Sequence, residues 1–193
     1  MPSTKQFDVN EALDRAMEAF WENGYEATSM TKLLERMGIQ KGSFYATFTS
    51  KHEVYVQAID RYIRERLTEF ERAIDGIAPR DAIEMMFDAV NGECSRKPSR
   101  TRGCLVVNAA LELAPSDEEV GEIVRHSLVR HEKLLARLIQ EGQESGDINE
   151  SIEPRPTAKA MLGLIISMRV YARAGLPTSY PAALRAQALS LLG

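Results

Sequence analysis

The segment from Thr28 to Lys51 constrains the fold more than any other part of the chain, because apolar residues recur at helical spacing on both sides of a glycine. The first stretch places four apolar residues on one face, namely Met30, Leu33, Leu34 and Met37. Gly38 follows at a position where helices commonly end. Phe44 and Phe48 then lie four residues apart in a second stretch. The pattern predicts two short helices joined by a tight turn.

The polar residues of the second helix predict a contact with nucleic acid. They leave the phenylalanine face free and include Gln40, Lys41, Ser43 and Thr47, while Gly42 lets the backbone approach a partner closely. In a helix-turn-helix, the second helix enters the major groove of DNA. Residues 28–52 carry a local charge of +3 in a chain with a net charge of -4. This contrast favours a confined DNA-binding face.

The same residues resemble a known family. The run GxxKGSFYxxFxSK at residues 38–51, preceded by FWENGYEATSM at residues 20–30, is similar to the TetR family of transcriptional repressors over roughly residues 8–60. The resemblance implies that the N-terminal end of the second helix touches bases. It also implies that Tyr45 and Lys51 hold phosphates, and that Thr28 and Ser29 contact the DNA backbone.

Two positions depart from the family pattern. Ala46 stands where an aromatic residue or histidine is common, which removes a phosphate contact. Gln40 replaces the usual Ser or Thr cap, and its amide is suited to a bidentate contact with adenine. The complete set of candidate DNA-binding residues is Thr28, Ser29, Gln40, Lys41, Gly42, Ser43, Tyr45, Thr47 and Lys51.

The rest of the chain predicts an all-α fold, since strand-like alternation is missing and helical periodicity runs almost throughout. We expect an N-terminal three-helix helix-turn-helix domain at residues 1–50 and an all-helical ligand-binding and dimerisation domain at residues 51–193. Ser50 is predicted to cap a long connector helix. Ser116 is predicted to cap another long helix, which ends at Gly146.

The last two helices carry more apolar surface than a small domain needs. One extends from about Thr157 to Ala174, and the other begins near Pro181. The family resemblance implies that these helices form a homodimer interface as a four-helix bundle. A homodimer that binds double-stranded operator DNA and a small-molecule effector is therefore expected.

The effector pocket is expected where the connector helix meets the helices that begin near Asp81, Cys104 and Thr157. Its candidate residues are Phe87, Cys104, Asn108 and Met168. Asn108 has two interpretations, a partner within the protein or a contact to ligand. Cys104 is explained either by core packing or by a sensor thiol beside Arg100 and Arg102, with Cys94 as a resolving partner.

Other functional classes find less support. The cysteines form no CxxC pair, and no zinc-ligand spacing or phosphate-binding glycine loop occurs, so no metal or cofactor is predicted. The rival hypothesis is a cysteine-dependent enzyme with Cys104 as nucleophile and His126 or His131 as base. A transcriptional activator of the same fold is a further alternative. The chain has no apolar run of membrane-spanning length, and a cytoplasmic location is expected.

Overall fold

A computed structural model describes residues 7–94 and 102–193, and this part of the chain confirms the all-α prediction. Its helices are α1 (Val9–Asn23), α2 (Met30–Met37), α3 (Lys41–Thr47), α4 (Lys51–Ala73), α5 (Pro79–Cys94), α6 (Leu105–Glu112), α7 (Glu118–Ser145), α8 (Pro154–Arg173) and α9 (Ser179–Ser190). None of the helices in these ranges is both long and apolar enough to cross a membrane.

The turn between α2 and α3 forms as the sequence predicts. Gly38 adopts the left-handed conformation at φ 71°, and its N–H donates to the carbonyls of Leu34 and Glu35. Phe44 and Phe48 are buried with residues of α1, α2 and α4 in a hydrophobic cluster, which we call the first core. The two aromatic side chains therefore fix α3 on the domain and turn its opposite face outward.

The connector helix α4 begins with a reciprocal cap. The Ser50 hydroxyl accepts the N–H of Glu53 at 3.1 Å, and the Glu53 carboxylate accepts the N–H of Thr49 at 2.6 Å. The hydrogen bond from Thr49 keeps the pKa of Glu53 below its ordinary value. The prediction that Ser50 caps this helix is confirmed.

Helix α4 contributes to both hydrophobic cores. Its first half, from Val54 to Tyr62, packs in the first core. Leu67 belongs to a second core, which it forms with residues of α5, α7, α8 and α9. The first core also takes in α6 and the start of α7. Because residues on both sides of position 50 share one core, the division at 50 stays a prediction about function and does not follow the packing.

The cap of α7 corrects one expectation. Asp117, not Ser116, accepts the N–H of Val120 at 3.0 Å, and the Ser116 hydroxyl donates to the carbonyl of Leu113. The Asp117 carboxylate also accepts a hydrogen bond from His52 Nε2 at 2.6 Å. The N–H of Val120 and the His52 ring lower the pKa of Asp117. Gly146 ends the helix in the left-handed conformation, as predicted.

Helices α8 and α9 pack on α5 and α7 around the second core. One face of α8 carries small or short side chains at helical spacing and faces away from that core, namely Ala160, Gly163, Ser167 and Val170. A Cβ atom added to Gly163 would meet nothing within 4 Å. The face is therefore open to close approach by another helix.

Candidate nucleic-acid interface and ligand cavity

Helix α3 presents the face predicted for DNA contact. Gln40, Lys41, Gly42 and Thr47 are exposed, and Ser43 is half-buried. Gln40 precedes the helix without capping it through its side chain, which leaves the amide available to a partner. A Cβ atom added to Gly42 would meet nothing within 4 Å, so the backbone there is open.

Tyr45 lies on the same outer face. Its side chain is 51% exposed, and its ring packs edge-on against Phe44 at a centroid distance of 5.2 Å. The contact orients the ring while leaving the hydroxyl at the surface. A phenolic hydroxyl held in this way can donate to a phosphate oxygen.

Lys51, at the start of α4, packs against an aromatic ring. Its ammonium lies 4.1 Å from the centroid of Tyr25, a cation–π contact. Burial lowers the pKa of Lys51, and the nearby carboxylates of Glu26 and Glu112 oppose that effect. The contact limits the orientations of a side chain that is otherwise long and flexible.

The structure corrects the role expected for Thr28. Thr28 is only 1% exposed, and its hydroxyl donates to the carbonyl of Gly24 at 2.6 Å. This side chain closes the turn between α1 and α2, and its hydroxyl is used within the protein. Ser29 is exposed and caps α2 by accepting the N–H of Lys32 at 3.3 Å.

Glu112, at the end of α6, joins the second part of the chain to this turn. Its carboxylate accepts the backbone N–H groups of Tyr25 and Glu26 at 3.0 and 2.9 Å. Gly24 makes room for it, since a Cβ atom there would lie 2.8 Å from Glu112 Oε2. Sequence reasoning missed Glu112, although it is the only charged residue in the apolar run CLVVNAALELA.

The beginning of α6 is also fastened to α1. Trp21 Nε1 donates to the carbonyl of Gly103 at 3.0 Å, and Arg102 forms ion pairs with Glu18 and Glu22. The start of α6 is therefore tied to α1, and its end is tied to the turn that follows α1. A displacement of α6 would therefore strain its contacts with α1 and with the turn between α1 and α2.

A cavity of about 300 Å³ lies between α4, α5, α6, α7 and α8. Its position agrees with the region expected for an effector, but its lining differs from the predicted residues. Cys104 lines it, whereas Phe87 and Met168 are fully buried in the second core. The Asn108 amide donates to the carbonyl of Arg102 at 3.0 Å, which supports the interpretation that its partner lies within the protein. Phe87, Asn108 and Met168 are therefore not among the residues that line the cavity.

Polar side chains that sequence reasoning did not assign to the pocket join Cys104. The Tyr62 hydroxyl donates to Cys104 Sγ at 3.7 Å, and Arg169 pairs with Glu93 at 2.7 Å. Burial opposes the charge of Arg169, but Cys104, Tyr62 and Glu93 outweigh it and raise the pKa of Arg169. A signal was present, because Arg169 is the only charged residue between Lys159 and Arg173 in an apolar helix.

The structure locates some of the residues named in the enzyme and sensor hypotheses. His131 lines the cavity, and His126 is exposed. The side chain of Cys94, proposed as a resolving partner, and Arg100 lie outside the described residues. Across residues 7–94 and 102–193, no three His, Cys, Asp or Glu side chains form a group that could hold a metal ion.

Comparisons with known families agree with this geometry. Residues 12–58 match the family of bacterial regulatory proteins, tetR family, and residues 80–187 match the tetracyclin repressor-like C-terminal domain. The HTH-type transcriptional repressor ComR of Escherichia coli (strain K12) is 28% identical over 173 residues, covering 89% of this chain and 82% of ComR. The HTH-type transcriptional regulator YezE of Bacillus subtilis (strain 168), itself uncharacterized, is 30% identical over 151 residues, covering 77% of each chain.

A solved structure extends the similarity to a DNA complex. It is a cysteine variant of the TetR family transcriptional regulator CifR, bound to a 26-base-pair double-stranded operator. The alignment has a TM-score of 0.82 and 27% identity and covers 98% of each chain. Helix-turn-helix geometry, both family matches and this similarity lead to one conclusion: the chain belongs to the TetR family of DNA-binding transcriptional regulators.

Proposed function

We propose that this protein is a homodimeric repressor that leaves its operator when a small molecule occupies the cavity between α4 and α8. The observation that carries this proposal is the course of α6. The helix starts at the cavity wall with Cys104 and ends with Glu112 on the turn between α1 and α2. The ligand site and the DNA-binding face therefore share a rigid connection.

The DNA contacts in this proposal come from α3 and its flanks. Gln40 and Lys41 face the bases, while Tyr45, Lys51 and the Ser29 hydroxyl contact phosphates. The exposed positions of Ser29, Gln40, Lys41 and Tyr45 and the partly exposed position of Lys51 support these roles. The half-sites for a dimer lie about 34–36 Å apart, one turn of the double helix. A ligand that displaces α4 or α6 in each subunit would alter this spacing and weaken both contacts together.

The homodimer in this proposal forms through α8 and α9. The open face of α8 at Gly163 supports that arrangement, because small residues allow close packing of helices. Operator binding places the protein with the chromosome, in the cytoplasm. The effector is bound and released unchanged, and a turnover assay on the bound ligand separates this proposal from the enzyme hypothesis. A transcription assay on the operator separates repression from activation.

The link through Glu112 gives a direct test. In Glu112→Gln, the amide retains one oxygen acceptor but turns an NH₂ group toward a backbone N–H, so one turn hydrogen bond is lost and a donor faces a donor. We expect operator affinity to fall about tenfold, because an unmade hydrogen bond of this kind costs about 1–3 kcal/mol. Fluorescence anisotropy with operator selected from random DNA measures the affinity.

Glu26→Gln is the matched control, because it removes the same charge from the same turn while both backbone hydrogen bonds remain. Its affinity should stay within about twofold of wild type, since an exposed charge contributes little. Equal affinities for Glu112→Gln and wild type would contradict the proposed connection. Failure of the wild-type protein to select any DNA sequence would contradict the repressor function itself.

A covalent effector is a second candidate, favoured by the position of Cys104. Its Sγ accepts a hydrogen bond from Tyr62, and the residue lines the cavity. With iodoacetamide, Sγ would displace iodide to form a thioether while the thiol proton passes to solvent. We expect treated wild type to lose operator binding and treated Cys104→Ser to keep it. Equal loss in both proteins, or none in either, would leave Cys104 with a packing role.

A further inference from the structure

The walls of the cavity are mostly apolar, and a small set of partly or fully buried polar side chains, the polar group, also lines it. The apolar lining includes Leu67, Phe70, Val90, Val107, Leu128 and Ile165. The polar group is made by Tyr62, Glu93, Cys104, Ser127, His131 and Arg169. Arg66 and Glu69 also line the cavity, but both are exposed and pair with each other at 3.1 Å. A ligand that complements this cavity is therefore mostly apolar and carries a small polar group.

Ser127 is the part of this group that needs a partner. The residue is 3% exposed, and within the described ranges its hydroxyl oxygen makes no hydrogen bond. Other helical hydroxyls behave differently, since Thr47 and Ser167 donate to the carbonyl four residues earlier. Buried hydroxyl groups nearly always have a partner. Ser127 lines the cavity, so its unpartnered hydroxyl is suited to a ligand that packs against this residue.

His131 adds a hydrogen-bond acceptor. Its Nδ1 lies 2.8 Å from the carbonyl oxygen of Ser127, and a carbonyl only accepts, so Nδ1 carries the proton. Burial lowers the pKa of His131; the Ser127 carbonyl opposes this effect, and Arg169 and Arg130 add to it. The neutral ring then has a lone pair on Nε2. It can accept a hydrogen bond but cannot neutralise an anion.

The remaining charges in the group are already matched. Arg169 is paired with Glu93, so the guanidinium charge is compensated by a protein carboxylate. Building on the repressor function proposed above, we infer that the effector is an uncharged, mostly apolar molecule with one hydroxyl group. That hydroxyl donates to His131 Nε2 and accepts from the Ser127 hydroxyl. A carboxylate in the same place would meet the His131 lone pair, and the guanidinium that could neutralise it is already paired with Glu93.

Three related probes test this inference on the full-length protein by isothermal titration calorimetry: 4-butylphenol, butylbenzene and 4-butylbenzoate. We expect 4-butylphenol to bind about tenfold more tightly than butylbenzene and 4-butylbenzoate, a difference of about 1.4 kcal/mol, which is the net gain of its two hydrogen bonds after the hydroxyl is removed from water. In Ser127→Ala, the preference for the phenol over butylbenzene should fall to about threefold or less. Ser145→Ala is the matched control, because Ser145 lies on the same helix outside the cavity lining and its hydroxyl already donates to the carbonyl of Gly142, and it should keep the preference.

Operator binding, measured in parallel, distinguishes a failure of the inference about the effector from a failure of the proposed repressor function. Equal binding of the phenol and butylbenzene, tighter binding of the benzoate, or an unchanged preference in Ser127→Ala would each overturn the hydroxyl inference. The same is true if none of the three probes binds. All of these results leave the repressor proposal standing as long as the protein binds operator. A protein that binds no DNA would overturn the repressor proposal instead.

Discussion

Combining Tyr45→Phe with Lys51→Ala is expected to weaken operator binding by at least about 100-fold, and to do so equally for operator and unrelated DNA. Hydrogen bonds to charged groups contribute about 1.5–3 kcal/mol each, so the loss of two such contacts at the lower value already corresponds to about 100-fold, and a dimer would lose them in both subunits. Tyr45 is half-exposed on the outer face of α3, and Lys51 is the first residue of α4. The uniform loss follows because phosphate contacts position the protein without distinguishing sequences.

The salt dependence of binding identifies the role of Lys51. Removing one phosphate contact per subunit should reduce the slope of log affinity against log salt by about two units for the dimer. Lys133→Ala removes an exposed lysine on α7 and is the charge-matched control. Gln40→Ala and Lys41→Ala should instead change the preferred bases. Unchanged operator affinity in the double variant would refute the assignment of the DNA-binding face.

Local patterns accounted for the helices and their ends. Gly38, Ser50 and Gly146 were identified from the sequence because a left-handed residue or a helix cap depends mainly on neighbouring residues. The cap of α7 was predicted at Ser116 but is formed by Asp117, because local patterns do not decide between neighbouring candidates. Both residues satisfy the same short pattern, and the carboxylate also binds His52, which lies 65 residues away in the chain. Sequence spacing contains no information about that contact.

The site was harder to predict because it depends on contacts between helices. Periodicity showed that Phe87 and Met168 face inward, but an inward face can meet either a core or a cavity. The family resemblance placed Thr28 on DNA, whereas the turn at Gly24 uses its hydroxyl internally. Ser127 and Glu112 were overlooked, although each is a polar residue on an apolar surface of its helix. Such interruptions deserve the same weight as motifs when a binding site is sought.

The dimer can be tested at a position that the subunit itself does not need. Leu164→Glu and Leu189→Glu are the substitutions that the sequence suggests, but both leucines are half-buried and pack on the second core of their own subunit. A charge there would disturb the fold as well as an interface. Gly163 is exposed on α8 with open space around its Cα. Gly163→Arg therefore changes the outer face of α8 without affecting the core.

We expect Gly163→Arg to be monomeric by sedimentation and to bind operator more than about 100-fold more weakly, because each monomer contacts one half-site and an arginine at the proposed interface would be buried without a partner. Far-UV circular dichroism should keep its helical signal. Gly92→Arg is the matched control, since Gly92 is also an exposed helical glycine with nothing within 4 Å of an added Cβ atom. It should remain dimeric and bind operator normally. A dimeric Gly163→Arg with normal operator affinity would exclude this face of α8 from the interface.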